Sequence, residues 1–318
     1  MPAHLPGIHH VTAITADVQA CTDFYVGVLG LRFVKKTVNF DVPDTYHIYF
    51  GDLAGTPGTA MTFFGWNRWP KTPQGTGQVL AVAFQIPANS LDFWAKRLRE
   101  EKVAYEQERR FGADVLTLHD ADGIHIELVG DASDERWQAW PESPVDPEKQ
   151  IRGFHSVGLL LDDAAPTARF LTGVLGFEQV EEAGDRTRFA TGDGGPHAIV
   201  ELLERPEAPA GVEGTGTVHH VAWRALDDEH QLRWREELVA GGGRVTPVID
   251  RKYFHSIYFR EPGGVLFEIA TDQPGFTVDE SLENLGSGLQ LPPHAEAQRE
   301  ELKFNLAPIH VPSFAKRS

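Results

Sequence analysis

Cysteine is nearly absent from this chain, since Cys21 is the only one in 318 residues. An internal disulfide and a thiolate metal cluster are therefore excluded, which predicts a protein of the reducing cytoplasm. Basic residues are also scarce: 29 Lys and Arg stand against 46 Asp and Glu, a net charge of −17. This balance argues against nucleic acid or an anionic membrane as partner. No apolar run approaches the length of a membrane span, and the first residues lack the features of a signal peptide.

A repeated motif occurs at two distant places. Residues 22–34 and 168–180 share the sequence Gly-Val-Leu-Gly, and in both it follows an amphipathic stretch with a phenylalanine in step. The pattern predicts a helix that ends at a glycine and leads into a strand. Extended along the chain, it defines four modules of one strand, one helix and three strands: residues 7–65, 78–130, 152–204 and 216–271.

One such module cannot bury both faces of its own sheet, so the modules must pair. The predicted fold class is α+β, with four βαβββ modules paired into two halves, each a curved mixed sheet that encloses a cavity. Along the chain we expect an N-terminal half (1–135), an acidic, proline-containing linker (136–151), a C-terminal half (152–272) and a covering tail (273–318). Lys35 and Lys36 are expected on a solvated strand edge.

Two histidine pairs occupy the same position of the repeat. His9-His10 lies in the first strand of module one, and His219-His220 lies in the first strand of module four. Because side chains alternate between the faces of a strand, His10 and His220 fall in the register that holds small and polar residues in all four modules. Such residues are expected to line a cavity, whereas the bulky residues of the other register should lie under the helix.

A glutamate occupies one aligned position in the last strands of three modules, as Glu127, Glu201 and Glu268. Glu268 stands in an apolar run, where a carboxylate is costly unless it is hydrogen-bonded, paired or bound to a metal. Modules one and four alone place a histidine in the cavity register. If these two modules pair, His10, His220 and Glu268 form a set of two histidines and one carboxylate, which binds non-haem Fe(II) and leaves coordination positions open.

Modules two and three would then pair around a second cavity. There Ala81 and Ser156 stand where the first cavity has histidines. We therefore expect neither an imidazole nor a metal in the second cavity, and we interpret Glu127 and Glu201 as hydrogen-bonded remnants of the duplication. The alternative pairing, of one with two and three with four, would leave no cavity with two histidines, so the first pairing is the economical one.

The repeated module resembles the vicinal-oxygen-chelate superfamily, which includes glyoxalase I, bleomycin-resistance proteins and type I extradiol dioxygenases. Five stretches resemble more narrowly the ring-cleaving dioxygenases that act on hydroquinones: residues 31–41, 46–51, 55–59, 250–264 and 267–272. This resemblance covers nearly the whole chain. It implies Fe(II), with Mn(II) or Zn(II) as alternatives, held by His10, His220 and Glu268, and a small aromatic substrate that reacts with dioxygen.

Tyr258, His9 and His219 are the candidate catalytic residues. The strand of Tyr258 is joined to that of Glu268 by a short turn, which should place these two residues near each other, so Tyr258 is a candidate proton donor to bound oxygen, or else a wall aromatic. The resemblance makes His9 and His219 candidates for the shell behind the metal ligands, whereas the recurrence of a histidine at the same position of module three, His155, favours a structural role. The chlorohydroquinone members carry extra residues where this chain runs directly from Lys252 to Tyr253, which favours an unsubstituted or alkyl hydroquinone. No other cofactor is expected, and a homo-oligomer is compatible with the sequence.

Two other functions are left open by the sequence. A glyoxalase-type isomerase or lyase would use a divalent metal without dioxygen. It usually takes a fourth protein ligand from the last strand of module one, where Thr62 and its neighbours offer no carboxylate. A binding module that sequesters a small aromatic compound or drug would normally lack the metal set, so bound iron distinguishes it from an enzyme.

Overall fold

The computed structural model describes residues 3–131 and 137–314 of the chain. Module one comprises β1 (Ile8–Thr15), α1 (Val18–Thr22), β2 (Arg32–Val38), β3 (Tyr46–Gly51) and β4 (Ala60–Gly65). Module two comprises β5 (Gln78–Pro87), α2 (Leu91–Glu100), β6 (Tyr105–Arg110), β7 (Ala113–His119) and β8 (His125–Asp131). Module three comprises β9 (Phe154–Leu161), α3 (Ala165–Gly173), β10 (Glu178–Ala183), β11 (Arg186–Ala190) and β12 (Ile199–Glu204). Module four comprises β13 (Val218–Ala225), α4 (Asp228–Ala240), β14 (Ile249–Asp250), β15 (Phe254–Arg260) and β16 (Leu266–Pro274), and the tail adds α5 (Arg299–Asn305).

These strands form two eight-stranded sheets. Sheet one has the order β14-β15-β16-β13-β1-β4-β3-β2, and sheet two has the order β10-β11-β12-β9-β5-β8-β7-β6. At the centre of each sheet the first strands of two modules run antiparallel, and each is flanked by the parallel last strand of its own module. Module one therefore pairs with module four and module two with module three, which confirms the predicted pairing and the α+β class.

Each sheet takes one module from each half of the sequence, so neither half closes a sheet by itself. The halves 1–135 and 152–272 stay a prediction about how the chain is divided. The predicted junction between the first half and the linker, at 135 and 136, lies outside the described residues. Within the described ranges, no helix is long and apolar enough to cross a membrane.

The bulky register of the central strands lies in the main apolar core. Val11, Val82 and Val221 are fully buried there, together with Trp94 of α2 and Trp234 of α4. Burying an aliphatic side chain of this size contributes roughly 1.5–3 kcal/mol. Because that register faces the core, the alternate register, which holds His10 and His220, faces the opposite side of the sheet.

The helix that the motif predicts before Gly30 is divided into two parts in module one. The carboxylate of Asp17 accepts two backbone N–H groups of the first turn of α1, as an N-cap does. From Asp23 to Val28 the chain continues as a π-helical stretch. Gly30 follows with a φ of 73°, and Gly176 follows the helix of module three with a φ of 72°, so both repeated glycines adopt the left-handed turn that the motif predicted.

Lys35 is buried, so the expectation of a solvated strand edge was wrong for this residue. Its ammonium group is fully buried and lies 2.6 Å from a carboxylate oxygen of Asp279 and 2.6 Å from one of Glu280. Both carboxylates belong to the tail that follows β16. A buried ammonium requires such partners, and partners this distant in sequence leave no local pattern. The tail is thereby fastened to β2.

Candidate metal centre

Three adjacent strands of sheet one bring His10, His220 and Glu268 together. β1 and β13 run antiparallel with Thr12 opposite His220, and β13 and β16 run parallel with Ala222 opposite Glu268. The three side chains therefore project from the same face of the sheet. All three are buried, with at most 3% of any residue exposed.

The donor atoms of these residues are close enough to share one ion. From Glu268 Oε2, the Nε2 atom of His220 lies at 2.9 Å and that of His10 at 3.4 Å, and the two Nε2 atoms are 3.2 Å apart. Glu268 Oε2 is buried and has no hydrogen-bond partner, an unfavourable state that a cation would relieve. Two imidazoles and one carboxylate fit a first-row divalent metal with open coordination positions.

Within the described ranges this is the one group of at least three His, Cys, Asp or Glu side chains whose ligand atoms all lie within 4.8 Å of one another. Burial alone would raise the pKa of Glu268, but interaction with the adjacent imidazoles of His10 and His220 lowers this pKa well below its usual value. The other carboxylate oxygen accepts a hydrogen bond from Ser256 at 2.5 Å. Burial lowers the pKa of His220, so its ring is in the neutral form that binds metals.

The outer histidine of each pair lies behind the inner one. His9 Nδ1 is 2.9 Å from His10 Nδ1, and His219 Nδ1 is 2.7 Å from His220 Nδ1. Each contact engages Nδ1 of the inner ring and leaves its Nε2 facing the site, as outer partners of metal-binding histidines do. Burial lowers the pKa of His9 well below its usual value and that of His219 to about 3. Both outer rings are therefore neutral at neutral pH.

Tyr258 lies directly opposite Glu268 in the antiparallel β15–β16 ladder, so the predicted proximity of these two residues is confirmed. Its ring centroid is 5.7 Å from that of His220, and its hydroxyl accepts a hydrogen bond from Arg251 Nε at 3.3 Å. Burial, and then the charge of Glu268, raises the pKa of Tyr258. The phenol therefore keeps its proton at neutral pH and can donate it to a group in the cavity.

The wall of the cavity contains polar residues for which sequence reasoning gave no role. Arg251, His47 and Tyr49 line it, and Arg251 also pairs with Asp41 at 3.0 Å. The rest of the lining is largely aromatic: Phe40, Phe64, Phe254 and Tyr258. Arg251, His47 and Tyr49 lie within residues 46–51 and 250–264, two of the stretches that carry the family resemblance, so the resemblance is the feature of the sequence that points to them. The repeat carries no signal at these positions, because its shared features lie on the first strand, the helix and the last strand of each module.

The equivalent place in sheet two is filled by an arginine cluster, which we define as Arg110, Arg186 and Arg188 with Glu127 and Glu201. Arg186 lies 2.8 Å from Glu201 and 3.4 Å from Glu127, Arg188 lies 2.7 Å from Glu201, and Arg110 lies 2.5 Å from Glu127. The expectation that both glutamates are hydrogen-bonded is confirmed. The expectation of no imidazole was wrong, because His125, two residues before Glu127 on β8, lies 3.4 Å from its carboxylate.

Comparison with known proteins agrees with this architecture. A protein named Putative ring-cleaving dioxygenase MhqO from Bacillus subtilis is 45% identical over 306 residues, which cover 96% of this chain and 97% of that protein. The Chlorohydroquinone/hydroquinone 1,2-dioxygenase of Sphingobium indicum is 34% identical, with 95% of this chain and 96% of that protein covered. A crystal structure of a dioxygenase from Bacillus subtilis, qualified as putative in its description, matches with a TM-score of 0.93 at 43% identity, covering 98% of this chain and 100% of that one.

A family model matches both halves of the sequence. The matched ranges, residues 7–128 and 153–269, contain nearly all of the four modules and all three residues of the candidate metal centre. The chain therefore belongs to the Glyoxalase/Bleomycin resistance protein/Dioxygenase superfamily.

Proposed function

We propose that this protein is an Fe(II)-dependent, extradiol-type dioxygenase that opens the ring of a hydroquinone-like aromatic. The observation that carries the proposal is the group of His10, His220 and Glu268, whose Oε2 atom is buried without a hydrogen-bond partner. Its three donors would hold the metal and leave positions for substrate and dioxygen. When bound, Fe(II) would lower the pKa of a coordinated phenol and pass electrons to dioxygen.

The residues around these donors would prepare the site for that chemistry. Glu268 supplies the negative charge that offsets a cation, and Ser256 fixes the carboxylate by binding its other oxygen. His9 and His219 would orient the metal-binding rings through their Nδ1 contacts. Because both outer rings are neutral, we assign them a positioning role rather than that of a charged acid.

The cavity would exclude water and hold one aromatic ring. Its walls include Phe64 and Phe254, and the Phe254 ring centroid is 4.9 Å from that of His10. Tyr258, which keeps its proton, would donate it to an oxygen atom of the reacting complex, and the guanidinium of Arg251 would hold the Tyr258 hydroxyl in place. Proton donation of this kind contributes typically about 10²–10⁴-fold to a rate.

The relatives support the substrate class. The Sphingobium indicum relative is named for chlorohydroquinone and hydroquinone, and two relatives from Bacillus subtilis, at 45% and 39% identity, are named as ring-cleaving dioxygenases. The direct step from Lys252 to Tyr253 favours a ring without chlorine. We place the reaction in the cytoplasm on the ground of the single cysteine.

The test is anaerobic loading with Fe(II), followed by oxygen uptake with a panel of hydroquinones and catechols. We expect uptake with unsubstituted and alkyl hydroquinones and the loss of the aromatic absorbance. The matched control is the protein loaded with Zn(II), which has no redox chemistry. Iron-loaded protein that consumes no oxygen with any member of the panel contradicts the proposal. Isomerisation of a glutathione hemithioacetal without oxygen would favour the glyoxalase-type alternative.

A further inference from the structure

A chain of hydrogen bonds in module one ends at the cavity wall. The Oγ1 atoms of Thr12 and Thr62 are 2.8 Å apart, Thr62 Oγ1 is 2.9 Å from His47 Nε2, and His47 Nδ1 is 2.9 Å from the Tyr49 hydroxyl. Thr62 lies opposite Thr12 in the β1–β4 ladder and opposite Tyr49 in the β3–β4 ladder. The four side chains therefore share one face of sheet one.

The direction of these hydrogen bonds follows from the buried end of the chain. Thr12 is fully buried and is not among the residues that line the cavity. In the part of the protein that the structure describes, its hydroxyl has one hydrogen-bond partner, Thr62. A buried hydroxyl proton without an acceptor is costly, so Thr12 donates to Thr62. Thr62 has one proton of its own and donates it to His47 Nε2.

His47 then carries its ring proton on Nδ1. Burial, and then the charges of His10 and His220, lower the pKa of His47 well below its usual value. The neutral ring has one donor and one acceptor nitrogen. Because Nε2 accepts from Thr62, Nδ1–H donates to the Tyr49 oxygen. Burial, and then the charge of Tyr258, raises the pKa of Tyr49, so its phenol keeps its proton. Because the Tyr49 oxygen accepts from His47, this proton is free to be donated to another group.

We propose that Tyr49 donates this proton in a hydrogen bond to an oxygen of the aromatic substrate. Thr12, Thr62 and His47 are positioning residues that set the direction of the donor. The inference rests on the proposed function, because it takes the cavity as the substrate cavity. Tyr49 on β3 and Tyr258 on β15 come from opposite ends of the strand order of sheet one. A ring between them meets a phenol on each side, which selects phenols with a second oxygen para to the first.

The test compares three probes that differ only at the para position: hydroquinone, 4-methoxyphenol and 4-methylphenol. Their dissociation constants are measured anaerobically with the Fe(II)-loaded wild type and with Tyr49→Phe. We expect the wild type to bind the two oxygen-bearing probes about tenfold more tightly than 4-methylphenol, the effect of one buried hydrogen bond. In Tyr49→Phe this advantage should fall to about twofold or less, with iron content unchanged.

Tyr253→Phe is the matched control. It removes a phenol hydroxyl one ring away, 6.1 Å between centroids, which donates to Asp279 at 3.1 Å rather than into the cavity. The tenfold advantage should persist in this variant. Thr62→Val tests the positioning residues, because it interrupts the chain between Thr12 and His47. We expect the advantage to drop to about threefold there and to return in Thr62→Ser, which keeps the hydroxyl.

Three outcomes overturn the inference and leave the proposed function intact. In the first, Tyr49→Phe keeps the full advantage; in the second, it weakens all three probes equally, as the loss of a packing residue would. A preference of the wild type for hydroquinone over 4-methoxyphenol that Tyr49→Phe abolishes would show that Tyr49 accepts instead of donating. A wild type that binds none of the three probes overturns the inference together with the proposed function.

Discussion

The two sheets have the same arrangement of strands and differ in the groups that lie against their buried glutamates. The aligned pairs of opposed residues are Ala222 with Glu268 in sheet one, and Ala83 with Glu127 and Gly158 with Glu201 in sheet two. In sheet one the carboxylate meets two imidazoles and keeps one oxygen without a hydrogen-bond partner. In sheet two both carboxylates meet guanidinium groups.

In our proposal this difference separates a metal-binding site in sheet one from a structural ion-pair cluster in sheet two. Guanidinium groups are protonated at all relevant pH values and fork onto carboxylates, so the arginine cluster carries its own positive charge. In our proposal the imidazoles of sheet one are metal ligands, and a bound cation balances the charge of Glu268. The same backbone position thus serves stability in sheet two and, in our proposal, metal binding in sheet one.

Removing one histidine of sheet one should have the largest effect, because it removes a ligand of the proposed metal. We expect His220→Ala to lose essentially all iron, because two remaining donors cannot hold the metal against exchange, while the fold is kept. Metal analysis after anaerobic loading and desalting measures this. Ser156→Ala, at the aligned position of sheet two, is the control and should retain one iron per chain. Full iron occupancy in His220→Ala would contradict the assignment of the ligands.

Tyr258→Phe tests what the phenol contributes in sheet one, since it keeps the ring and removes only the hydroxyl group. We expect iron and substrate binding to be retained and turnover to fall by about 10²–10⁴-fold, the usual contribution of a general acid. Steady-state oxygen uptake measures turnover, and Tyr253→Phe is the matched control outside the cavity. Turnover at the wild-type rate would make Tyr258 a wall residue only and would direct the search for the acid to a bound water.

The sequence predicted sheet one better than sheet two for a physical reason. Strand alternation and the repeat sufficed to align His10, His220 and Glu268, because all three lie on first and last strands, which the motif anchors. Arg110 and Arg186 lie on β6 and β11, middle strands whose register depends on loop lengths. Long guanidinium side chains also reach across neighbouring strands, which strand periodicity does not encode. The burial of Lys35 was not predictable for a similar reason, because its carboxylate partners lie far along the sequence, in the tail.

Breaking the arginine cluster should cost stability and leave the metal in place. Arg186→Met removes one of the residues that contact both Glu127 and Glu201, and loss of one partner of a buried ion pair costs about 3–5 kcal/mol. Denaturant unfolding of the metal-free protein measures this free energy. The control is Arg205→Met, whose pair with Asp185 is about half exposed and contributes about 1 kcal/mol or less. A variant that is as stable as the wild type, or that loses iron while folded, would contradict the division of roles.

A fall in pH should remove part of the stabilisation from the arginine cluster, a smaller effect than that of Arg186→Met. Burial by itself would raise the pKa of Glu127, but the adjacent His125 and the charges of Arg110 and Arg186 lower it from 4.5 to about 2. A carboxylate whose pKa is lower in the folded than in the unfolded state stabilises the fold above its unfolded pKa. That contribution is lost as the pH falls from about 4.5 to about 2.

Between pH 6 and pH 3 the loss from this one group is about 2 kcal/mol. Glu127→Gln cannot titrate, so its free energy of unfolding should fall by about 2 kcal/mol less than that of the wild type over the same interval. Both proteins are measured without metal. Glu268 also has a lowered pKa, but it is present in both proteins, so its contribution to the pH dependence cancels in the difference. Parallel pH profiles would show that Glu127 is not held ionised by its arginines.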